Sequence, residues 1–189
     1  MSYNEHDIRA LPILALRGLN ILPGMMLNFD VERPQSVAAL NFAMSDDQVI
    51  FLATQKDVTV DLPEIDDIYH VGTVCRIRQL IRQPGGRLCK VMVEGLYRGR
   101  IEKLTSKTPS FFGEIAELPD SIDRTGGVKT EALIRSAVSL FEEYLQLNGG
   151  AAPEVVLNVV MSGDASYVSN YIAQNVHLDY RDKQKLLEE

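Results

Sequence analysis

Few residues in the sequence have types and spacing that could support catalysis. The segment TGGVKT (125–130) is similar to a phosphate-binding loop, but Val128 separates Gly127 from Lys129. Position 122 is also Ile, where the motif G-x-x-x-x-G-K-[ST] requires glycine. We therefore interpret this segment as a helix N-cap or a linker, and we expect no catalytic residue in it.

Nucleophile and metal motifs are absent from the sequence as well. It contains no G-x-S-x-G segment, and its three histidines (His6, His70 and His177) are scattered singly. The adjacent carboxylates Asp66 and Asp67 lie in an acidic segment and are interpreted as solvated surface. We expect no metal site and no cofactor in this chain.

The two cysteines, Cys75 and Cys89, flank the segment RQPGGR (82–87), which has the composition of a hairpin turn. Such a turn places Cys89 opposite roughly Leu80 and Cys75 opposite roughly Glu94. An offset of about five residues at ~3.3 Å each separates the thiols by about 16 Å, beyond disulfide reach. We expect two reduced thiols.

Charged side chains form one candidate binding surface. Residues 74–104 contain eight Lys/Arg against two Glu, and residues 45–67 contain seven acids against one Lys. The simpler interpretation is two charged faces that pair across the surface. The functional alternative is a patch for an acidic or polyanionic partner, formed by Arg76, Arg78, Arg98 and Arg100. The stretch lacks the interleaved aromatic residues of single-strand binders, which argues against nucleic acid.

Apolar side chains at a turn form a second candidate binding surface: Pro23, Gly24, Met25 and Met26. Methionine is flexible and polarizable, so it suits contact with varied apolar partners. The alternative is that at least one of the two packs into the core. Phe111 and Phe112 present the same choice, since adjacent strand residues face opposite sides of a sheet.

Composition limits the classes of protein that the chain can represent. Its 189 residues are 46% apolar and 24% charged, typical of a globular domain, and the net charge of -7 argues against a simple nucleic-acid binder. The apolar stretch at 11–27 contains Arg17 and two prolines, which argues against a membrane span. The preceding segment has no positively charged region, so we predict no signal peptide and a cytoplasmic protein.

Period-two patterns dominate the first part of the chain. Strands are predicted in the β-compatible ILALRGLNIL, in MLNFDVER, in the continuously apolar QVIFLATQ, in successive antiparallel stretches of GTVCRIRQLIRQPGGRLCKVMVEGLYRGRIEKL, and in SFFGEIAEL. A helix is predicted from Pro34. About six strands with one helix after the second predict an α+β fold with a small, partly closed antiparallel barrel.

Helical periodicity dominates the second part. Apolar side chains recur at spacings of three and four at Leu133, Ala137, Leu140, Phe141, Tyr144 and Leu145. Asp164 is a predicted N-cap, and Asp179 with Asp182 resembles a capping box. Charge also changes, from -1 over residues 1–104 to -6 over 105–189. We predict a β-rich subdomain at 1–119 and a helical subdomain at 120–189, truncated within its last helix.

Several segments in order resemble one known family: LPILALRGLNILPGMMLNFDVERPQSVAAL, then ATQKD, then DIYHVGTVCRIRQLIRQPGGRLCKVMVEGLYRGRI. They are similar to the N-terminal substrate-binding domain of the ATP-dependent Lon proteases. Leu22 replaces the usual Phe before Pro23, and Cys75 stands where Ala is common. The resemblance is strong over 11–104 and rests on helix pattern alone over 105–189.

The resemblance implies a PUA-like antiparallel β pseudobarrel with one intervening helix, followed by a C-terminal α-helical bundle. It implies a non-catalytic domain that recognises unfolded or damaged polypeptides and aids assembly of a hexamer. ATP, Mg and a Ser-Lys dyad would belong to ATPase and protease modules outside this chain. The alternatives are a free-standing Lon-type adaptor and a PUA-like nucleic-acid-binding module.

Overall fold

A computed structural model describes residues 8–83, 88–119, 127–148 and 164–189. The chain divides into two compact units, one formed by 1–119 together with 178–189 and the other by 120–177. Three features lie wholly or partly outside the described residues: the hairpin turn predicted at 82–87, the start of the TGGVKT segment, and a further helix that Pro153 predicts in PEVVLNVV.

Six strands and helix α1 (Pro34–Ser45) make up most of the first unit. The strands are β1 (Ile8–Leu16), β2 (Met26–Val31), β3 (Val49–Thr54), β4 (Val71–Arg82), β5 (Cys89–Ser106) and β6 (Phe111–Glu117). The sheet order is β2-β5-β4-β3-β1-β6, and β5 also pairs with β6. The predicted α+β class is confirmed, and α1 follows the second strand as expected.

Strand pairing differs from the prediction at one place. β1 and β3 are parallel, whereas the other pairings between described strands are antiparallel. The parallel pair is possible because β2 and α1 together form a connection long enough to cross over. In addition, β5 is one continuous strand where sequence periodicity suggested a succession of shorter ones.

The core of this unit lies around β3. All six residues of β3 are buried, as its continuous apolar run predicted, and Phe51 is fully enclosed. The cross-strand pair Gly72 and Gly99 approaches the Phe51 ring. A Cβ on Gly72 would lie 2.3 Å from the Leu52 carbonyl oxygen and 2.8 Å from Phe51 Cζ. Glycine is required at position 72 because no side chain fits there.

Helix α4 (Tyr180–Glu188) packs on this unit, which corrects the assignment of all residues after 119 to a helical subdomain. Its Gln184 and Leu187 are 1% and 2% exposed. Gln184 Nε2 donates to the Val71 carbonyl at 3.0 Å. Asp179 caps the helix through Arg181 N, whereas Asp182 bonds Lys185 and does not complete a capping box.

The second unit contains helices α2 (Val128–Leu147) and α3 (Ala165–Asn175). Val138 and Val168 form the centre of their contact, and Ile134, Leu145 and Tyr171 pack around it. Asp164 caps α3 as predicted, accepting from the amides of Ser166 and Tyr167. The predicted apolar stripe of α2 is partly wrong, because Leu133 and Leu140 are 62% and 65% exposed.

Both cysteines are free and buried, which confirms the prediction of reduced thiols. Cys75 lies opposite Gly95 and Cys89 opposite Arg82, so their partners are displaced by one and two residues from the expected Glu94 and Leu80. Burial raises the pKa of the Cys75 thiol well above its usual value, because the thiolate would lose its hydration. None of the described helices is long and apolar enough to cross a membrane.

We expect both thiols to resist modification by a disulfide reagent at neutral pH while the protein is folded. Attack requires a solvated thiolate, and Cys75 and Cys89 are 0% and 2% exposed. Labelling should accelerate to the rate of a free thiol in denaturing urea. Rapid labelling of either thiol under native conditions would contradict their placement in the core.

Candidate functional site

The predicted Pro23–Met26 turn is held firmly against β5. Met25 N donates to the Leu22 carbonyl at 3.2 Å, and Gly24 N donates to the Gly95 carbonyl of β5 at 2.9 Å. Gly24 has φ +78°, a left-handed conformation that glycine adopts without strain. The two methionines therefore have fixed and opposite environments: Met25 is 5% exposed and Met26 is 49% exposed.

The Phe111–Phe112 pair is divided in the same way. Phe111 is buried in the main core cluster, while Phe112 lies partly exposed on the opposite face of β6. The Phe112 ring meets Phe42 of α1 edge to face, with centroids 5.7 Å apart, and Phe42 is 42% exposed. Phe42 also lines a shallow depression of about 350 Å³ with Pro109.

These placements correct the predicted binding residues. Met25 and Phe111 are core residues and are not available to a partner in this structure, whereas Met26 and Phe112 present apolar surface. The two exposed residues do not form one surface, because Met26 pairs with Glu94 and Phe112 with Ser106, which are far apart along β5. Sequence reasoning did not identify Phe42 as the partner of Phe112.

The predicted arginine patch is divided between two faces of the sheet. Arg98 and Arg100 lie opposite Thr73 and Val71, and cross-strand partners share a face. Arg76 has the other parity on β4, so it projects from the opposite face. The four arginines therefore do not form a single surface for a polyanion.

Two of these arginines also have partners within the protein. Arg78 forms an ion pair with Glu94, with Nε 2.7 Å from the carboxylate. Arg98 Nη1 lies 3.5 Å from the Leu187 carbonyl of α4. Among the described residues no cluster of His, Cys, Asp or Glu could hold a metal ion.

A groove beside β2 is a concavity of the first unit that sequence reasoning did not find. It has a volume of about 960 Å³ and runs between β2 and the carboxyl end of β1. Its lining includes Leu14, Leu16, Leu19, Phe29, Val31, Leu62, Ile81 and Met92, together with the charged residues described next. We call it the β2 groove.

Charged residues in the lining of the β2 groove are mostly paired. Arg17 bonds Asp61 at 2.8 Å, and Lys90 lies 3.9 Å from Asp30. The hydrogen bond from Arg17 lowers the pKa of Asp61. Arg33 donates twice to Gln55 Oε1 at 3.1 Å. The pKa of the Arg33 guanidinium is lowered, chiefly by burial and also by the positive charge of Arg17 nearby.

Comparison with known sequences finds one family. Residues 10–189 match the family model described as the ATP-dependent protease La (LON) substrate-binding domain. The chain is 40% identical over 182 residues to a Lon protease of Desulforamulus reducens, covering 96% of this chain and 22% of that protein. It is 40% identical over 191 residues to a Lon protease of Clostridioides difficile, covering 100% and 24%. The chain thus spans about a quarter of these relatives' length.

Comparison with solved structures finds the same fold. The N-terminal domain of a Mycobacterium avium complex Lon protease matches with a TM-score of 0.77 at 22% identity, covering 96% of this chain and 90% of that one. A Lon N-terminal domain protein from Xanthomonas campestris matches with a TM-score of 0.64 at 16% identity, with the same coverage. At these identities the likeness concerns the fold alone.

Proposed function

The chain belongs to the family of substrate-binding domains of ATP-dependent protease La (LON), and on that premise we propose that it captures unfolded or damaged polypeptides. A receptor for many sequences needs apolar surface at fixed positions, since unfolded chains share exposed apolar side chains and little else. The observation that carries the proposal is the exposed Met26 side chain, held on a turn that is hydrogen-bonded to β5.

A second apolar contact supports the same role. Phe42 and Phe112 form an edge-to-face pair that remains partly exposed. Aromatic rings bury large apolar areas on binding and lose little conformational freedom, so they are effective anchors. With Met26 they provide two separated contact points for one extended client chain.

The proposal extends to the longer proteins in which the matched relatives carry this domain. There the domain would present clients to an ATPase module that uses ATP and Mg, in a cytoplasmic Lon hexamer whose assembly it aids. We further infer that the ring of pairings through β5, β4, β3, β1 and β6 is the PUA-like pseudobarrel implied by the family resemblance. A free-standing adaptor with this domain would use the same apolar contacts.

Replacing Met26 by Asp should weaken binding of an unfolded polypeptide about five- to tenfold and leave folding intact. The change removes an apolar contact and adds a charge at an exposed site, so the protein itself loses no buried group. Binding is measured by fluorescence anisotropy with labelled α-lactalbumin that has been reduced and alkylated with iodoacetamide.

The matched control is Leu133→Asp, which adds the same charge at an exposed leucine of the other unit. It should bind the probe as the parent does. Equal affinity of the Met26→Asp protein and its parent would remove Met26 from the site. Absence of any probe binding by the parent would overturn the proposed function itself. The Met25 position is unsuitable for this test because it is buried.

A further inference from the structure

Strand β2 has one edge that is paired and one that is open. It pairs only with β5 among the described strands, in a regular register from Met26 opposite Glu94 to Val31 opposite Cys89. Gly95 N donates to the Met25 carbonyl at 2.8 Å. This bond determines the phase of the ladder, that is, which alternate residues of β2 direct their backbone groups toward β5. In an antiparallel pair such bonds recur at every second residue. The amide and carbonyl groups of Asn28 and Asp30 therefore point away from β5.

Nothing in the described part of the chain hydrogen-bonds to these outward backbone groups. Asn28 and Asp30 are both exposed, and both line the β2 groove. Natural proteins usually cover or disrupt such an edge because it is a template for another strand. Here the edge instead faces a preformed concavity.

Charge and polarity of the β2 groove define what would fit beside this edge. Its lining contains three basic residues (Arg17, Arg33 and Lys90) and three acidic ones (Asp30, Glu32 and Asp61), so its formal net charge is zero. Four of the six are already in ion pairs with each other. Between them the lining is largely apolar, and Leu62 is 78% exposed. An uncharged apolar segment complements this lining, whereas a strongly charged one does not.

We propose that the β2 groove binds an extended, uncharged apolar segment of a polypeptide, which adds to the sheet as a strand beside β2. Backbone groups of Asn28 and Asp30 hydrogen-bond the segment, and its alternate side chains enter the groove. Pairing through the main chain is independent of sequence, so the same site accepts many segments. A six-residue strand such as β2 spans about 20 Å, which sets the length of the bound segment.

This inference rests on the proposed function, because it names the form in which a client is held. It differs in the groups that make the contact, since the lining of the β2 groove includes neither the Met26 nor the Phe112 side chain. Loss of the groove therefore leaves the apolar contacts of those residues in place. Measurements that resolve individual backbone amides separate the two.

Amide hydrogen exchange followed by NMR tests the proposal directly. With the alkylated α-lactalbumin probe bound, exchange at Asn28 and Asp30 should slow at least tenfold. Exchange at Phe29 should change little, since the ladder phase directs its amide to β5. A side chain resting over the strand would not produce this alternation.

A proline substitution supplies the matched variant. Asn28→Pro removes the outward N–H and preserves the β2–β5 ladder, since proline is tolerated where its nitrogen faces away from the partner strand. Asn28→Ala removes the same side chain and keeps the N–H. We expect Asn28→Pro to weaken probe binding about three- to tenfold and Asn28→Ala to leave it unchanged.

Three results would overturn the proposal. Probe binding without slowed exchange at Asn28 and Asp30 would leave the proposed function standing and remove strand addition. If these amides exchange more slowly as the protein concentration is raised without the probe, the edge of β2 pairs with a second copy of the chain. No probe binding at all would remove both. If Asn28→Pro fails to fold, the exchange pattern of the parent decides alone.

Discussion

Replacing Gly72 by Ala should lower the free energy of unfolding of the β-rich unit by about 3 kcal/mol. The added Cβ would lie 2.3 Å from the Leu52 carbonyl oxygen and 2.8 Å from the fully buried Phe51 ring. A backbone carbonyl in the central strand cannot rotate away, so either β3 and β4 separate or the Phe51 ring is displaced. Overpacking of this kind costs about 1 to 3 kcal/mol and occasionally more, and backbone contact places Gly72 at the upper end.

Differential scanning calorimetry or urea unfolding followed by circular dichroism measures the effect. Gly127→Ala is the control, because a Cβ there meets nothing within 4 Å and the residue has an ordinary φ of -62°. As a change at a helix N-cap it should cost at most about 1 kcal/mol. Equal destabilisation by the two substitutions would show that the close approach at Gly72 does not constrain the sheet.

The local features of this fold could be predicted because they follow from side-chain periodicity. The β2 segment alternates Leu27, Phe29 and Val31 with polar residues, and the structure places those three more deeply than their neighbours. The unbroken apolar run of β3 identified a strand buried on both faces. Asp164 indicated where a helix begins, and the structure places it at the N-cap of α3.

Features that depend on pairing between distant segments could not be predicted. The parallel contact of β1 with β3 and the docking of α4 on the first unit leave no signal in local periodicity. The arginines show the same limit. Arg76 and Arg98 both alternate with apolar residues, but which face each occupies depends on the register between β4 and β5, and that register shifts between Val74 and Cys75.

The candidate site was predicted only in part for the same reason. The sequence indicated that a Pro-Gly turn would present methionine, but the choice between Met25 and Met26 follows from the bonds to Gly95. Adjacent Phe111 and Phe112 had to face opposite sides, and only the pairing with β1 and β5 decides which is buried. The β2 groove combines residues of β1, β2, β4, β5 and the loop near Leu62, so no single segment indicated it.

A buried network of polar side chains connects α4 to the sheet, and we expect its disruption to have the second large effect. Gln184 is 1% exposed, and its carbonyl oxygen accepts from Asn20 Nδ2 at 2.9 Å. Its amide donates to the Val71 carbonyl at 3.0 Å and to Glu188 at 2.9 Å. Asn20 in turn donates to Thr54 Oγ1 at 2.8 Å, so the network ties α4 to β3 and β4. A glutamine among lysines and glutamates gave no sequence signal for this role.

Gln184→Leu should therefore release α4 and leave the sheet folded. Leucine keeps the approximate volume but deprives the Val71 carbonyl and the Asn20 amide of a partner, and each buried unsatisfied group costs about 1 to 3 kcal/mol. When α4 detaches from the sheet, water hydrates the unpaired Val71 carbonyl and Asn20 amide and removes this cost. Opening of the helix should therefore become at least tenfold more frequent. Trypsin cleavage after Arg181, Lys183 and Lys185 reports the opening.

The control is Leu186→Ala, because this neighbouring side chain is 45% exposed. Trypsin should cleave the Leu186→Ala protein at the rate of the parent. Unchanged cleavage of the Gln184→Leu protein would mean that Leu187 and the remaining apolar contacts, and not the amide network, hold α4 on the sheet.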